Sequence, residues 1–152
     1  MKKYILLTIG IIICCTGCNP KSGLLTCTMT SYPTDGITLQ STYKANYKDE
    51  VVTKLTTIEK VIAEDEDNLD IYKEKIEELY KDYQGLDHYK NTLEIKDNVL
   101  TSKTVINYNK IDTDKLIEAS AGNRSLIKDG KVNIDDLKEM YQQNGCNCKK
   151  EG

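Results

Sequence analysis

From Ile37 to Lys48 the chain alternates without interruption. Ile37, Leu39, Ser41, Tyr43, Ala45 and Tyr47 fall on one side, and Thr38, Gln40, Thr42, Lys44, Asn46 and Lys48 on the other. Successive side chains of a strand point to opposite faces, so a strand buries the first set while it wets the second. Lys48-Asp49-Glu50 then forms a turn into the β-rich run Val51–Ile58, and the two runs together read as a hairpin. Leu24 to Ser31 reads as a strand before it, set off by the turn formers Pro33-Thr34-Asp35-Gly36.

Further along the period changes. Leu69, Tyr72, Ile76, Leu79, Tyr80 and Tyr83 are spaced for one face of a long helix, with Asp67 or Asn68 as N-cap and Gly85 as the stop. Tyr89 to Ile95 and Leu100 to Tyr108 alternate again around Asp97-Asn98, giving a second hairpin. Asp112 to Glu118 is a short helix, Ala121 to Lys131 a loop, and Asn133 caps a last helix that ends at Asn144-Gly145. The order β-β-β-α-β-β-α-α predicts an α+β fold: an antiparallel sheet of about five strands with helices packed on one face. With ten tyrosines and neither phenylalanine nor tryptophan, tyrosine fills the large aromatic positions.

Residues 1–17 do not belong to that domain. Lys2 and Lys3 precede an apolar run of about ten residues, Tyr4 to Ile13. That is half of the roughly 20 needed to span a bilayer, and it has the layout of a secretory signal. Cys15-Thr16-Gly17-Cys18 resembles a bacterial lipobox, which implies cleavage between Gly17 and Cys18 and a diacylglycerol on Cys18. Two acyl chains give stable anchoring where one is marginal. The expected organisation is a signal peptide at 1–17, a lipid-anchored polar tether at 18–23, and a single domain at 24–152. Localisation then follows: the extracytoplasmic face of a cell membrane.

Removing residues 1–17 leaves 48 apolar residues in 135, about 36%, so the core is modest. With Cys18 taken by the lipid, it also leaves Cys27, Cys146 and Cys148 in a compartment where disulfides persist. Three thiols allow one bridge and one leftover, with Cys27 near the start of the domain and the other two past the last helix. A Cys27 bridge would tie the two ends together. The alternative is an extracytoplasmic metal-binding or thiol-redox role for Cys146-Asn147-Cys148, although no histidine lies nearby.

Other chemistry is thin. Residues 18–152 carry 19 positive and 24 negative side chains, a net of −5, which argues against a nucleic-acid partner. Glu64-Asp65-Glu66-Asp67 sits where acids favour a helix N-terminus, a simpler account than a calcium patch. Asp129-Gly130-Lys131-Val132-Asn133 with Asp136 resembles half of a calcium loop, but Ser125 and Ile127 would occupy the first two ligand positions, and isoleucine cannot coordinate. His88 is the only histidine and has no visible partner. No nucleophile elbow, phosphate-cradling glycine loop or paired-histidine motif is present, so no catalytic residue, metal site or cofactor is expected.

Several short motifs together resemble the YehR-like family of small bacterial lipoproteins. They are the lipobox, Leu25-Thr26-Cys27-Thr28, Tyr47-Lys48-Asp49-Glu50-Val51, Tyr80-Lys81-Asp82-Tyr83-Gln84-Gly85, Tyr108-Asn109-Lys110-Ile111-Asp112 and Gly145-Cys146-Asn147-Cys148. The family is a domain of unknown function, so the resemblance implies an α+β lipoprotein without a chemistry. Its Gly-x-x-Cys pattern maps onto Gly145 and Cys148, which favours Cys148 over Cys146 as the partner of Cys27. The expected role is a non-catalytic, membrane-anchored module that binds an envelope protein or ligand, with the bilayer engaged through acylated Cys18.

Overall fold

The structure is a computed structural model that describes residues 21–65 and 67–152. The segment expected to be a signal peptide, the expected Gly17/Cys18 cleavage site, the expected acylation at Cys18 and Glu66 of the acidic run lie outside the described residues. Three long strands open the fold: β1 (Ser22–Thr34), β2 (Ile37–Lys48) and β3 (Val51–Ala63). They form an antiparallel meander in which Cys27 pairs with Tyr43 and Tyr43 with Thr57. Asp49 and Glu50 both have positive φ, 49° and 67°, as do Asp97 and Asn98 at 51° and 58°. This is the twist that two-residue hairpin turns require. Helix α1 (Asp67–Tyr80) runs into a 3-10 turn, Lys81–Tyr83, and Gly85 (φ +85°) ends the segment. Then come β4 (Tyr89–Lys96), β5 (Val99–Asn107) and α2 (Thr113–Ala119), whose first amides are capped by Asp112.

Two expectations need correction. The segment read as a loop at Ala121–Lys131 holds a one-turn helix, α3 (Asn123–Leu126), and half of a small hairpin, β6 (Ile127–Lys128) with β7 (Lys131–Val132). Ile127 and Val132 are buried there, so a short apolar pair closes the core where the polar neighbours suggested solvent. Helix α4 (Ile134–Gln143) follows, capped as expected by the Asn133 side chain. The chain then returns to the sheet as β8 (Asn147–Glu151), a strand with none of the alternation that marks the others. It pairs with β1 along the edge, Cys27 opposite Cys148. The sheet therefore has six strands, ordered β4-β5-β3-β2-β1-β8, every neighbouring pair antiparallel.

Register puts Leu25, Ala45, Leu55 and Ile106 on the same face as Ile37, Val61 and Leu100, and the helices cover that face. A bulge opposite Asn46 and Tyr47 holds Val52 in phase with Leu55. The core divides in two. A larger cluster packs Leu116 of α2 and Ile134, Leu137 and Tyr141 of α4 on Leu25, Ala45, Val52 and Leu55. A smaller one packs Leu69, Tyr72 and Ile76 of α1 on Ile37, Val61, Ala63 and Leu100.

Strand β1 starts two residues inside the stretch assigned to the tether, and Gly23 has a structural task there. It pairs with Tyr47, and a Cβ at this position would fall on the Tyr47 hydroxyl and on the Glu151 carbonyl oxygen. Gly23→Ala should therefore cost about 1–3 kcal/mol of stability by overpacking. A urea midpoint equal to that of the parent protein would refute the close approach.

Candidate functional site

Between the two clusters the inner face of the sheet turns polar. Two rows cross it: Ser41, Glu59, Ser102 and Leu93, then Tyr43, Thr57, Thr104 and Asn91. Ser102 and Thr104 are buried, and the Asn91 amide donates to both hydroxyls, at 3.1 and 2.9 Å, which satisfies them away from water. Glu59 is half-buried and is the one carboxylate on the inner sheet face among the described residues. Its Oε2 accepts from the Tyr80 hydroxyl at 2.9 Å, and no cation pairs with it among the described residues.

Tyrosines surround this carboxylate. Tyr83 stacks on Tyr89 with ring centroids 5.2 Å apart and meets Tyr80 edge-on at 6.2 Å. On the other side Tyr43 stacks on Tyr141 at 4.2 Å. Asn123 donates to the Tyr83 hydroxyl at 3.1 Å and so fixes that ring from α3. Among the described residues the Tyr89 hydroxyl has no hydrogen-bond partner although it is buried; the Thr104 hydroxyl lies near it, outside bonding geometry.

Openings flank α1. A cavity of about 490 Å³ lies between the end of α1 and β4, lined by Glu77, Tyr80, Tyr89, Lys90, Asn91 and Leu93. A second, of about 160 Å³, lies between α1 and the β2–β3 pair, lined by Ser41, Glu59, Tyr72, Ile76 and Leu79. The Glu59–Tyr80 hydrogen bond joins the lining of one to the lining of the other.

Burial pushes the phenols of Tyr43, Tyr80, Tyr89, Tyr108 and Tyr141 up, so these stay protonated well past neutrality. Tyr89 is pushed up to about 12 by burial, reinforced by Tyr83 and Glu59, and Tyr108 reaches about 12 by burial alongside Tyr83. Tyr80 and Tyr141 go higher still, by burial first, then Glu59 for Tyr80 and Tyr43 for Tyr141. At neutral pH the seam thus offers hydrogen-bond donors, aromatic faces and one carboxylate. It does not supply a phenolate nucleophile or base.

These shifts have a stability consequence. Unfolded tyrosines ionise near 10, whereas the folded ones keep their protons, so above about pH 10 the unfolded state binds fewer protons. Their stabilisation is complete below pH 10 and is lost as the pH rises towards about 12. Thermal melts should fall steeply across that window, and a flat profile would contradict the buried phenols.

The cysteines resolve into one pair. Cys27 and Cys148 form a disulfide with Cα atoms 4.0 Å apart, which decides between the two possible partners of Cys27. Cys146 is the leftover, buried against the larger core, and burial pushes its thiol up. Cys146 and Cys148 are therefore not brought together as a dithiol. His88 is exposed and strained at φ +66°. Asp129-Gly130 makes the β6–β7 turn, Asn133 caps α4, and Asp136 pairs with Lys128. Glu64 and Asp65 are exposed at the β3–α1 junction. The seam is built instead by Glu59, Tyr80 and Asn91. The strand read as ending at Ile58 continues to Ala63. The available signal was a carboxylate in phase with Leu55, Thr57 and Val61, a charge on the buried set of a strand.

Residues 20–152 match the profile of a family described as a domain of unknown function, DUF8824. The chain belongs to this family. No curated protein matches it. Two solved structures share the fold of this family member. One is the NMR structure of a protein from Streptococcus pneumoniae TIGR4, at TM-score 0.56 and 16% identity, covering 98% of this chain and 96% of that one. The other is the NMR structure of E. coli YehR, at TM-score 0.55 and 17% identity, covering 81% of this chain and 88% of that one. The second makes the domain YehR-like in fold.

Proposed function

We propose that this protein is an extracytoplasmic lipoprotein, held in the membrane by diacylglycerol on Cys18. In this reading it is a non-catalytic binding module of the cell envelope whose seam takes a small cationic group of a ligand or partner. The carrying observation is Glu59: half-buried, unpaired by any cation among the described residues, and set among tyrosines. A buried carboxylate normally has a cationic partner, and aromatic faces attract cations through their quadrupoles. The openings beside α1 give access for an ammonium group.

With no tryptophan in the chain, tyrosine fluorescence and aromatic NMR signals report on the seam directly. Titration with choline or a diamine should perturb Tyr80 and Tyr89 saturably, and Glu59→Gln should weaken that binding by about tenfold or more. No saturable change, or equal binding by the glutamine variant, would sink this reading.

The anchor has its own test. Cys18→Ala should leave the protein as unprocessed precursor or release it from the membrane fraction. Mature-size protein still sedimenting with membranes would refute lipidation at Cys18.

A further inference from the structure

The face of the sheet opposite the helices has a charge that the whole chain conceals. Lys44, Lys48, Lys54, Lys60, Lys90, Lys96, Lys103 and Lys149 all fall on it by register, and all are exposed. Among the described residues Glu94 and Glu151 are its only acids, so this face carries +6, while the remaining 11 cationic and 22 anionic side chains of residues 18–152 carry −11. Among the described residues only Lys149 of the eight has an ion pair, with Glu151 at 2.8 Å. Between the lysines stand Thr26, Thr42, Thr56, Thr101, Ile58, Ile62 and Val105, and no paired position of this face is buried.

We infer that this open face docks on the anionic headgroups of the membrane and lays the domain flat on the bilayer. The inference rests on the acyl anchor at Cys18 proposed above. Three residues separate Cys18 from Ser22, the first residue of β1, so at full extension the acylated cysteine lies within about 14 Å of the sheet. That is under two screening lengths in physiological salt, about 8 Å each, so the tether keeps the near end of the basic face beside the membrane surface. The charge is spread over five of the six strands, from β4 at one edge to β8 at the other, a width of about 24 Å. Such an array fits a surface of many anions better than one small ligand.

Other occupants fit less well. The paired positions of the face carry no aromatic side chain on which a base could stack, unlike single-strand nucleic-acid platforms. A second copy presenting the same face would set +6 against +6. Membrane docking also points the acidic helix layer, and the openings beside α1, away from the bilayer.

The test uses the purified full-length mature protein in vesicles of phosphatidylcholine alone or with phosphatidylglycerol. Amine-reactive labelling is read lysine by lysine by mass spectrometry. Lys44, Lys60 and Lys103 should label several-fold more slowly on the anionic vesicles, while Lys75 and Lys138 on the helices should not change. Molar salt should abolish the difference, and the triple variant K44Q/K60Q/K103Q should lose the protection of Lys54 and Lys90 with its circular dichroism unchanged.

Equal labelling on both vesicles overturns the inference. So does protection produced only by soluble polyphosphate, which would assign the face to a free polyanion, or protection that follows protein concentration without lipid, which would assign it to a second copy. The intact mass of the same sample reports the acyl chains. An unacylated chain that still docks on anionic vesicles would defeat the anchor and uphold the face.

Discussion

Cys148→Ser should lower the unfolding free energy by about 2–5 kcal/mol and the melting temperature by roughly 10–20 °C. The bridge spans 121 residues, close to the whole described domain, and chain-entropy arguments put the cost of releasing so long a loop near the top of that range. The structure adds a local reason. Strand β8 borders only β1, has one half-buried cysteine and otherwise exposed residues, and so adds little apolar burial of its own. Cys27 is 0% exposed and belongs to the larger core, so the bridge fixes β8 to the best-packed part of the sheet. Once it is cut, β8 should fray and the Gly23–Tyr47–Glu151 contact should open. Reduction of the parent protein should match the variant, while Cys146→Ala should keep one disulfide by intact mass. Loss of the disulfide in Cys146→Ala would show that the pairing is wrong.

Leu100→Ala should cost about 2–5 kcal/mol. Leu100 is 0% exposed and sits under α1 in the smaller cluster, which has only four other buried residues to close over the gap. Polar Glu59, Ser102 and Thr104 separate this cluster from the larger one, so little apolar material can move across to fill it. The expected signature is regional: amide exchange should accelerate in α1 far more than in α4. Because Tyr80 belongs to α1 and lines the opening beside β4, choline or diamine binding should weaken together with that helix. Uniform acceleration across α1 and α4 would instead mean that both clusters unfold as one unit.

Much of the architecture was readable residue by residue. The alternation from Ile37 to Lys48 fixed a strand and its buried face, Asp97-Asn98 marked a hairpin turn, and Asn133 announced a helix start. Each signal is local, because period, turn chemistry and capping act within a few residues. What escaped was local structure imposed from a distance. Strand β8 has no β signature and exists because β1 offers an edge and Cys27 offers a bond. Gly23 looked like part of a polar tether because nothing nearby in sequence demands a glycine there; the demand comes from Tyr47 and Glu151.

The charge reading shows the same limit. A net of −5 over residues 18–152 suggested a surface without a concentrated basic face. Strand parity then placed eight of its lysines and only two acids, Glu94 and Glu151, on one face of the sheet. Net charge is a sum and contains no geometry, so only the folded register sorts it into faces.

By itself, then, the sequence determined the class of fold, the order of its main elements, which face of the central strands is buried, and the presence of one spare thiol. The tertiary structure decided which cysteine takes Cys27, that the tail completes the sheet, and that Glu59, Tyr80 and Asn91 meet in a polar seam between two cores. The reason is physical: side-chain periodicity is a property of neighbours along the chain, whereas pairing, close approach and electrostatic clustering belong to residues separated by tens of positions.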